Sequence, residues 1–154
     1  MHKLETPFVI LLVDDDTFIL EVLRIQLERA LPEHITVERA LSPGEAIEML
    51  EDWKKDNFQE LALIVSDYLM PEMLGSDFLL KANELFPKAR KMMLTGQAEM
   101  ENVLRVLHEM SLFRYLSKPW EPAMMNKAVL AAVEDFIHYY QMEKKLEECV
   151  SKSV

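Results

Sequence analysis

Short apolar runs alternate five times with longer amphipathic stretches along this chain, an order that few folds accommodate. The runs lie at residues 8–13, 35–40, 61–65, 92–94 and 113–116. Between them, apolar residues recur every three or four positions, which is typical of helices that bury one face. The alternation predicts repeated strand–helix units and a parallel sheet with helices packed on it.

The polarity of these runs predicts their order in the sheet. The runs at 8–13 and 61–65 are almost purely apolar, as strands covered on both faces are. The runs at 35–40 and 113–116 include polar residues, which is typical of edge strands. A doubly wound, flavodoxin-like (βα)5 sheet of order 2-1-3-4-5 puts these two runs at its edges. We therefore expect that α/β fold, followed by an extended C-terminal helix.

Helix boundaries can be predicted from breakers and capping residues. Pro32 ends the first helix, and Ser42, Pro43 and Glu45 form a capping box at the start of the second. A third helix starts after Gly75, and a fourth lies around residues 103–110. The last helix begins near Pro122 and meets no breaker over about 30 residues, roughly twice the length that a compact domain needs.

The carboxyl ends of the predicted strands carry side chains that can bind a cation and a phosphoryl group. In chain order they are Asp14, Asp15, Asp16, Asp67, Thr95 and Lys118. Open α/β sheets bind their ligands at this end. Crowded carboxylates suit a hard cation such as Mg²⁺, while a lysine and a hydroxyl can hold phosphoryl oxygens. One carboxylate can then accept the phosphoryl group as an acyl phosphate.

Four segments at these strand ends carry a resemblance to a known family. They are LVDDD at 12–16, VSDYLMPEMLG at 65–75, MLTG at 93–96 and YLSKP at 115–119. Together they resemble the receiver domain of bacterial two-component response regulators, over residues 8 to about 135. The resemblance implies a phosphoacceptor signalling domain rather than an enzyme, with at most slow self-phosphorylation and self-dephosphorylation. Its implied partner is a sensor histidine kinase or a phosphotransfer protein.

The resemblance also implies a role for each site residue. Asp67 would accept the phosphoryl group, and Mg²⁺ would be held by Asp14, Asp15, Asp67 and the backbone carbonyl of Leu69. Lys118 would pair with the phosphoryl group.

A switch is implied by the same resemblance. Thr95 would hydrogen-bond the phosphoryl group when it arrives, and Tyr115 is the aromatic position whose rotamer follows Thr95. The surface that changes would be formed by the helix predicted around residues 103–110, the fifth strand and the last helix. The peptide bond between Lys118 and Pro119 is expected to be cis.

Charge and cysteine content exclude several other functions. Acidic residues outnumber basic ones 27 to 17, so the net charge of -10 disfavours direct binding of nucleic acid or an anionic membrane. The apolar runs are too short to span a bilayer, and no secretory signal precedes the first of them. Cys149 is the single cysteine, which together with the missing signal predicts a cytoplasmic location.

A Mg²⁺-dependent phosphatase of the haloacid dehalogenase type is the alternative function. That family also uses a strand-end aspartate, a threonine and a lysine. The segment DDDTF at 14–18 resembles its nucleophile motif but has Phe18 where that motif has threonine or valine. No second pair of acidic residues of the expected kind follows Lys118.

The end of the chain is expected to serve contacts outside the receiver domain. We assign residues 7–135 to the receiver domain and 136–154 to a helical extension. A heptad-like stripe runs along the last helix through Val129, Ala132, Phe136, Tyr139, Leu146 and Val150. Its second half has no predicted strand to cover, so a homodimer seam or a connection to an output domain is expected there.

Overall fold

The five predicted strands form one parallel sheet. The computed structural model describes residues 7–96 and 111–153. The strands are β1 (Phe8–Val13), β2 (Ile35–Ala40), β3 (Leu61–Asp67), β4 (Arg90–Thr95) and β5 (Arg114–Ser117). Every neighbouring pair is parallel, and the order is β2-β1-β3-β4-β5. The predicted fold class and strand order are therefore confirmed.

Four helices belong to the described part of the chain. They are α1 (Thr17–Ala30), α2 (Pro43–Lys55), α3 (Gly75–Leu85) and α4 (Pro122–Lys152). The helix predicted around residues 103–110 lies outside the described residues. Helix α4 has 31 residues, as its lack of breakers predicts. Within residues 7–96 and 111–153, no helix is long and apolar enough to cross a membrane.

Alternate side chains of each central strand are buried in two separate hydrophobic cores, one on each face of the sheet. All six residues of β1 are buried. Ile10 and Leu12 pack with α1 and α4 on one face, whereas Leu11 and Val13 pack with α2 and α3 on the other. Burial on both faces explains why β1 and β3 read as unbroken apolar runs. The edge strands β2 and β5 each expose several side chains, as their polarity predicts.

Two polar side chains cap the N-termini of the helices that follow β1 and β2. The Asp16 carboxylate accepts hydrogen bonds from the backbone N–H groups of Phe18 and Ile19, which have no carbonyl partner within α1. The Ser42 hydroxyl accepts from the N–H of Glu45 in α2. The Asp16 carboxylate therefore caps a helix.

Strand β4 begins two residues before the predicted apolar run, because it includes a buried lysine. Lys91 is 2% exposed, and its ammonium donates to the Asn83 side chain at 2.8 Å and to the Phe86 carbonyl at 2.6 Å. Burial lowers the pKa of Lys91 to about 8. Lys91 thus satisfies a carbonyl just beyond the end of α3, a pairing that apolar periodicity does not reveal.

The part of α4 beyond the sheet is attached to the base of the domain. The Tyr140 ring packs edge-on against Phe8, and its hydroxyl donates to Glu60 at 3.3 Å. Lys144 donates to the Gln59 side chain at 3.4 Å. Tyr140 and Lys144, which are not part of the predicted stripe, therefore attach this segment to the rest of the domain. The outer stripe of Met142, Leu146 and Val150 is exposed.

Candidate functional site

The strand-end residues converge as the sequence predicts. Asp14 directly follows β1, Asp67 ends β3, Thr95 ends β4 and Lys118 directly follows β5. The Lys118 ammonium lies 2.7 Å from an Asp14 carboxylate oxygen and 3.1 Å from an Asp67 carboxylate oxygen. A single cation from the edge strand therefore contacts both buried carboxylates at the centre of the sheet.

Three carboxylates lie close enough to share a cation. Asp14, Asp15 and Asp67 each offer an oxygen, and these oxygens lie within 4.8 Å of one another. Asp14 and Asp67 are buried, whereas Asp15 is exposed, so the cluster opens to solvent on one side. Carboxylate oxygens in an open arrangement are the donors that hard divalent cations prefer. The cluster is consistent with a divalent metal site.

The electrostatics of this cluster single out Asp67. Burial, together with the negative charge of Asp14, raises the pKa of Asp67 to about 6, and the nearby Lys118 offsets only part of this effect. Burial lowers the pKa of Lys118, but its hydrogen bond to Asp14 and its attraction to both carboxylates outweigh burial and raise that pKa overall. At neutral pH, Asp67 is therefore largely ionised and Lys118 is protonated.

Thr95 presents a buried hydroxyl at the end of the strand that neighbours β3. Its side chain is 1% exposed, and its hydroxyl oxygen has no hydrogen-bond partner among the described residues. A buried hydroxyl without a partner costs free energy, and such groups are rare in folded proteins. Since Thr95 ends the strand next to β3, its hydroxyl is suited to donate to an acceptor that arrives at Asp67.

Gly75 packs against the backbone of Asp67, a contact that the sequence did not reveal. The Gly75 N–H donates to the Tyr68 carbonyl at 2.6 Å. A Cβ atom at this position would lie 2.0 Å from the Asp67 carbonyl oxygen, so only glycine fits. The loop between β3 and α3 also holds Glu72 at a φ of 74°. The sequence predicts Gly75 as the residue before a helix and as the end of the 65–75 segment, but its approach to Asp67 depends on how α3 packs on the sheet.

Leu69 and Tyr115 occupy different surroundings. The Leu69 side chain is 59% exposed on the loop after β3. Tyr115 on β5 pairs in register with Met93 and is half-buried against the α2–α3 core. The Lys118–Pro119 peptide bond is cis, as expected.

Comparison with known proteins agrees with this geometry. A family model described as the response regulator receiver domain matches residues 10–130. The chain is 30% identical over 138 residues to the hydrogenase transcriptional regulatory protein HoxA of Bradyrhizobium diazoefficiens. That match covers 90% of this chain but 26% of the relative, so the chain spans about a quarter of that regulator.

Solved structures show the same architecture. A response regulator receiver domain protein from Methanospirillum hungatei is 30% identical, with a TM-score of 0.74, covering 87% of this chain and 99% of that one. A structure named adenylate cyclase, from Rhodopirellula baltica, is 26% identical, with a TM-score of 0.77, covering 92% of this chain and 98% of that one. With its fold, acidic cluster and matched residues, this chain belongs to the response regulator receiver domain family, whose members are phosphoacceptor signalling modules of two-component systems rather than classical enzymes.

Proposed function

We propose that this chain accepts a phosphoryl group on Asp67, in a Mg²⁺-dependent reaction, from a phosphohistidine of a sensor histidine kinase or a phosphotransfer protein. The observation that carries the proposal is the contact of the Lys118 ammonium with both Asp14 and Asp67, beside a third carboxylate. Membership of the receiver family excludes the alternative function, a phosphatase of the haloacid dehalogenase type.

Asp67 would be the nucleophile of the transfer. One of its carboxylate oxygens forms a bond to phosphorus while the nitrogen–phosphorus bond of the donor breaks, and the electron pair of that bond returns to the imidazole. The Lys118 ammonium lies within 3.1 Å of Asp67 and would pair with a phosphoryl oxygen. The partnerless Thr95 hydroxyl would donate to another phosphoryl oxygen.

Four groups would hold the cation. Asp14, Asp15 and Asp67 supply carboxylate oxygens, and the backbone carbonyl of Leu69 is the proposed fourth ligand. When bound, Mg²⁺ supplies neutralisation of the negative charge that gathers during phosphoryl transfer. The carboxylates fit this ion because they are hard oxygen donors in a cluster that is open to solvent.

The central test is the mass of the protein after treatment with acetyl phosphate and Mg²⁺. The wild-type chain should gain one phosphoryl group, and Asp67→Asn should gain none. EDTA should also abolish the gain, because the carboxylate cluster then lacks its cation. Asp52→Asn, an exposed carboxylate on α2, is the matched control and should react like the wild type. An unmodified wild-type chain under Mg²⁺ would contradict the proposal.

A second test separates phosphorylation from the switch. Thr95→Val should leave phosphorylation of Asp67 largely intact, because the hydroxyl does not attack phosphorus. Beryllofluoride, whose fluorines stand in for phosphoryl oxygens, should shift the backbone amide resonances of Thr95 and Tyr115 in the wild type. The Tyr115 shift should be lost in Thr95→Val but kept in Thr36→Val, a control on the far edge strand. A full Tyr115 shift in Thr95→Val would exclude Thr95 as the relay.

The exposed stripe at the end of α4 would pair two copies of the chain. Leu146 is 63% exposed and lies one helical turn from Met142 and Val150 on the same face. Light scattering should show a mass that rises with concentration in the wild type. Leu146→Glu should abolish this rise, whereas the control Ser151→Glu should not. A monomer at every concentration, with and without beryllofluoride, would instead favour contact with an output domain.

A further inference from the structure

Gln26 connects three elements: α1, the loop between β5 and α4, and α4 itself. Its side-chain N–H groups donate to the Asn126 side chain at 2.7 Å and to the Pro122 carbonyl at 3.2 Å, both in the first turns of α4. Its carbonyl oxygen accepts from the Trp120 indole N–H at 3.1 Å. Both halves of one amide are therefore used, and Trp120 belongs to the loop between β5 and α4.

The loop that Gln26 holds is the one that carries Lys118. Trp120 follows Lys118 with only Pro119 between them, and the proline ring fixes the φ angle of that residue. At the other end, the Lys118 backbone N–H donates to the Thr95 carbonyl at 2.8 Å. Trp120 also packs partly buried against the α1–α4 core. The loop is thus held at Lys118 by β4 and, two residues later, at Trp120 by α1.

Fixing this backbone matters because the lysine side chain is long and flexible. Its ammonium must reach Asp14 and Asp67 together, at 2.7 and 3.1 Å. A displacement of about 1 Å in a positioned group can slow a reaction by as much as about a hundredfold. We propose that Gln26 is a positioning residue for phosphorylation, which acts through Trp120 to hold Lys118 against the two carboxylates. This inference rests on the proposed function of Asp67.

The experiment measures the rate of Asp67 phosphorylation by acetyl phosphate at saturating Mg²⁺. Gln26→Leu keeps the side-chain size but removes all three hydrogen bonds, and it should slow the reaction about fivefold, as expected for the loss of about one net hydrogen bond. Trp120→Phe removes the indole N–H that donates to Gln26 and should slow the reaction to a similar extent. The affinity for Mg²⁺ should stay unchanged in both variants. Gln141→Leu, on the exposed face of α4, is the matched control.

A double-mutant cycle distinguishes positioning from simple attachment of α1 to α4. If Gln26 acts through Lys118, Gln26→Leu should cause no further slowing in a Lys118→Ala background. Equal slowing in both backgrounds would overturn the proposal, because a general loss of packing does not depend on Lys118. A Gln26→Leu rate equal to that of the wild type would also overturn it.

A spectroscopic measurement keeps this inference separate from the proposed function. In Gln26→Leu, the NMR resonance of the Lys118 Cε, the carbon that bears the ammonium, should shift, because the ammonium leaves the carboxylates. An unchanged resonance would overturn the inference even if phosphorylation occurs. If the wild type gains no phosphoryl group, the proposed function fails, and a shifted Lys118 resonance would still support the positional role of Gln26.

Discussion

Gly75→Ala should lower the free energy of unfolding by about 3 kcal/mol, and the protein that remains folded should be phosphorylated poorly at Asp67. An alanine Cβ would lie 2.0 Å from the Asp67 carbonyl oxygen and 2.9 Å from the Tyr68 Cα. Both atoms belong to the backbone, at the end of β3 and at the residue after it, so no side-chain rotation can relieve the overlap. Either α3 moves away from the sheet, or the strand end that carries Asp67 is displaced.

Urea unfolding followed by circular dichroism measures this effect, and Gly44→Ala is the matched control. Gly44 lies in the first turn of α2, where an added Cβ has ordinary space, with the Ser42 hydroxyl 3.9 Å away. Alanine in a helix is favoured over glycine, so this control should be neutral or more stable by about 0.5–1 kcal/mol. Equal stability of the two variants would show that the contact of Gly75 with Asp67 does not constrain the fold.

Asp67→Asn should stabilise the metal-free protein by up to about 3 kcal/mol at pH 7.5. The folded protein raises the pKa of Asp67 from 3.8 to about 6. Between these two values the folded state holds the proton more tightly than the unfolded state does, so wild-type stability falls as the pH rises from about 4 to about 6. Asparagine has nearly the same size but no charge, so the stability of the variant does not fall over this pH range.

A pH series in EDTA, with urea unfolding at each pH, tests the sign and the range. The advantage of Asp67→Asn should be small at pH 4, grow until about pH 6 and remain constant above it. Mg²⁺ should then stabilise the wild type more than the variant, by about 2.7 kcal/mol at a hundredfold excess over its dissociation constant. Asp52→Asn should show neither effect. A difference that does not change with pH would contradict the raised pKa of Asp67, which burial and the charge of Asp14 produce.

The strand order and the site composition could be predicted because both depend on local patterns. A strand buried on both faces is mostly apolar, so β1 and β3 could be assigned to the centre of the sheet from their apolar runs. In a parallel sheet the carboxyl ends of all strands meet at one edge. Asp14, Asp67 and Lys118 were therefore expected to come together once the strands were placed, and the contacts in the structure agree.

Other features required the packed chain, because they join residues that are distant in the sequence. Lys91 looks like a solvated charge until Phe86, just beyond α3, supplies the carbonyl that its buried ammonium contacts. Gln26 looks like a surface residue of α1 until Trp120, 94 positions later, donates to it. Periodicity and end signals in the sequence determine which elements form and which chemistry gathers at their ends. The distances between elements, set by side-chain packing, determine that Gly75 must lack a side chain and which buried polar groups are paired.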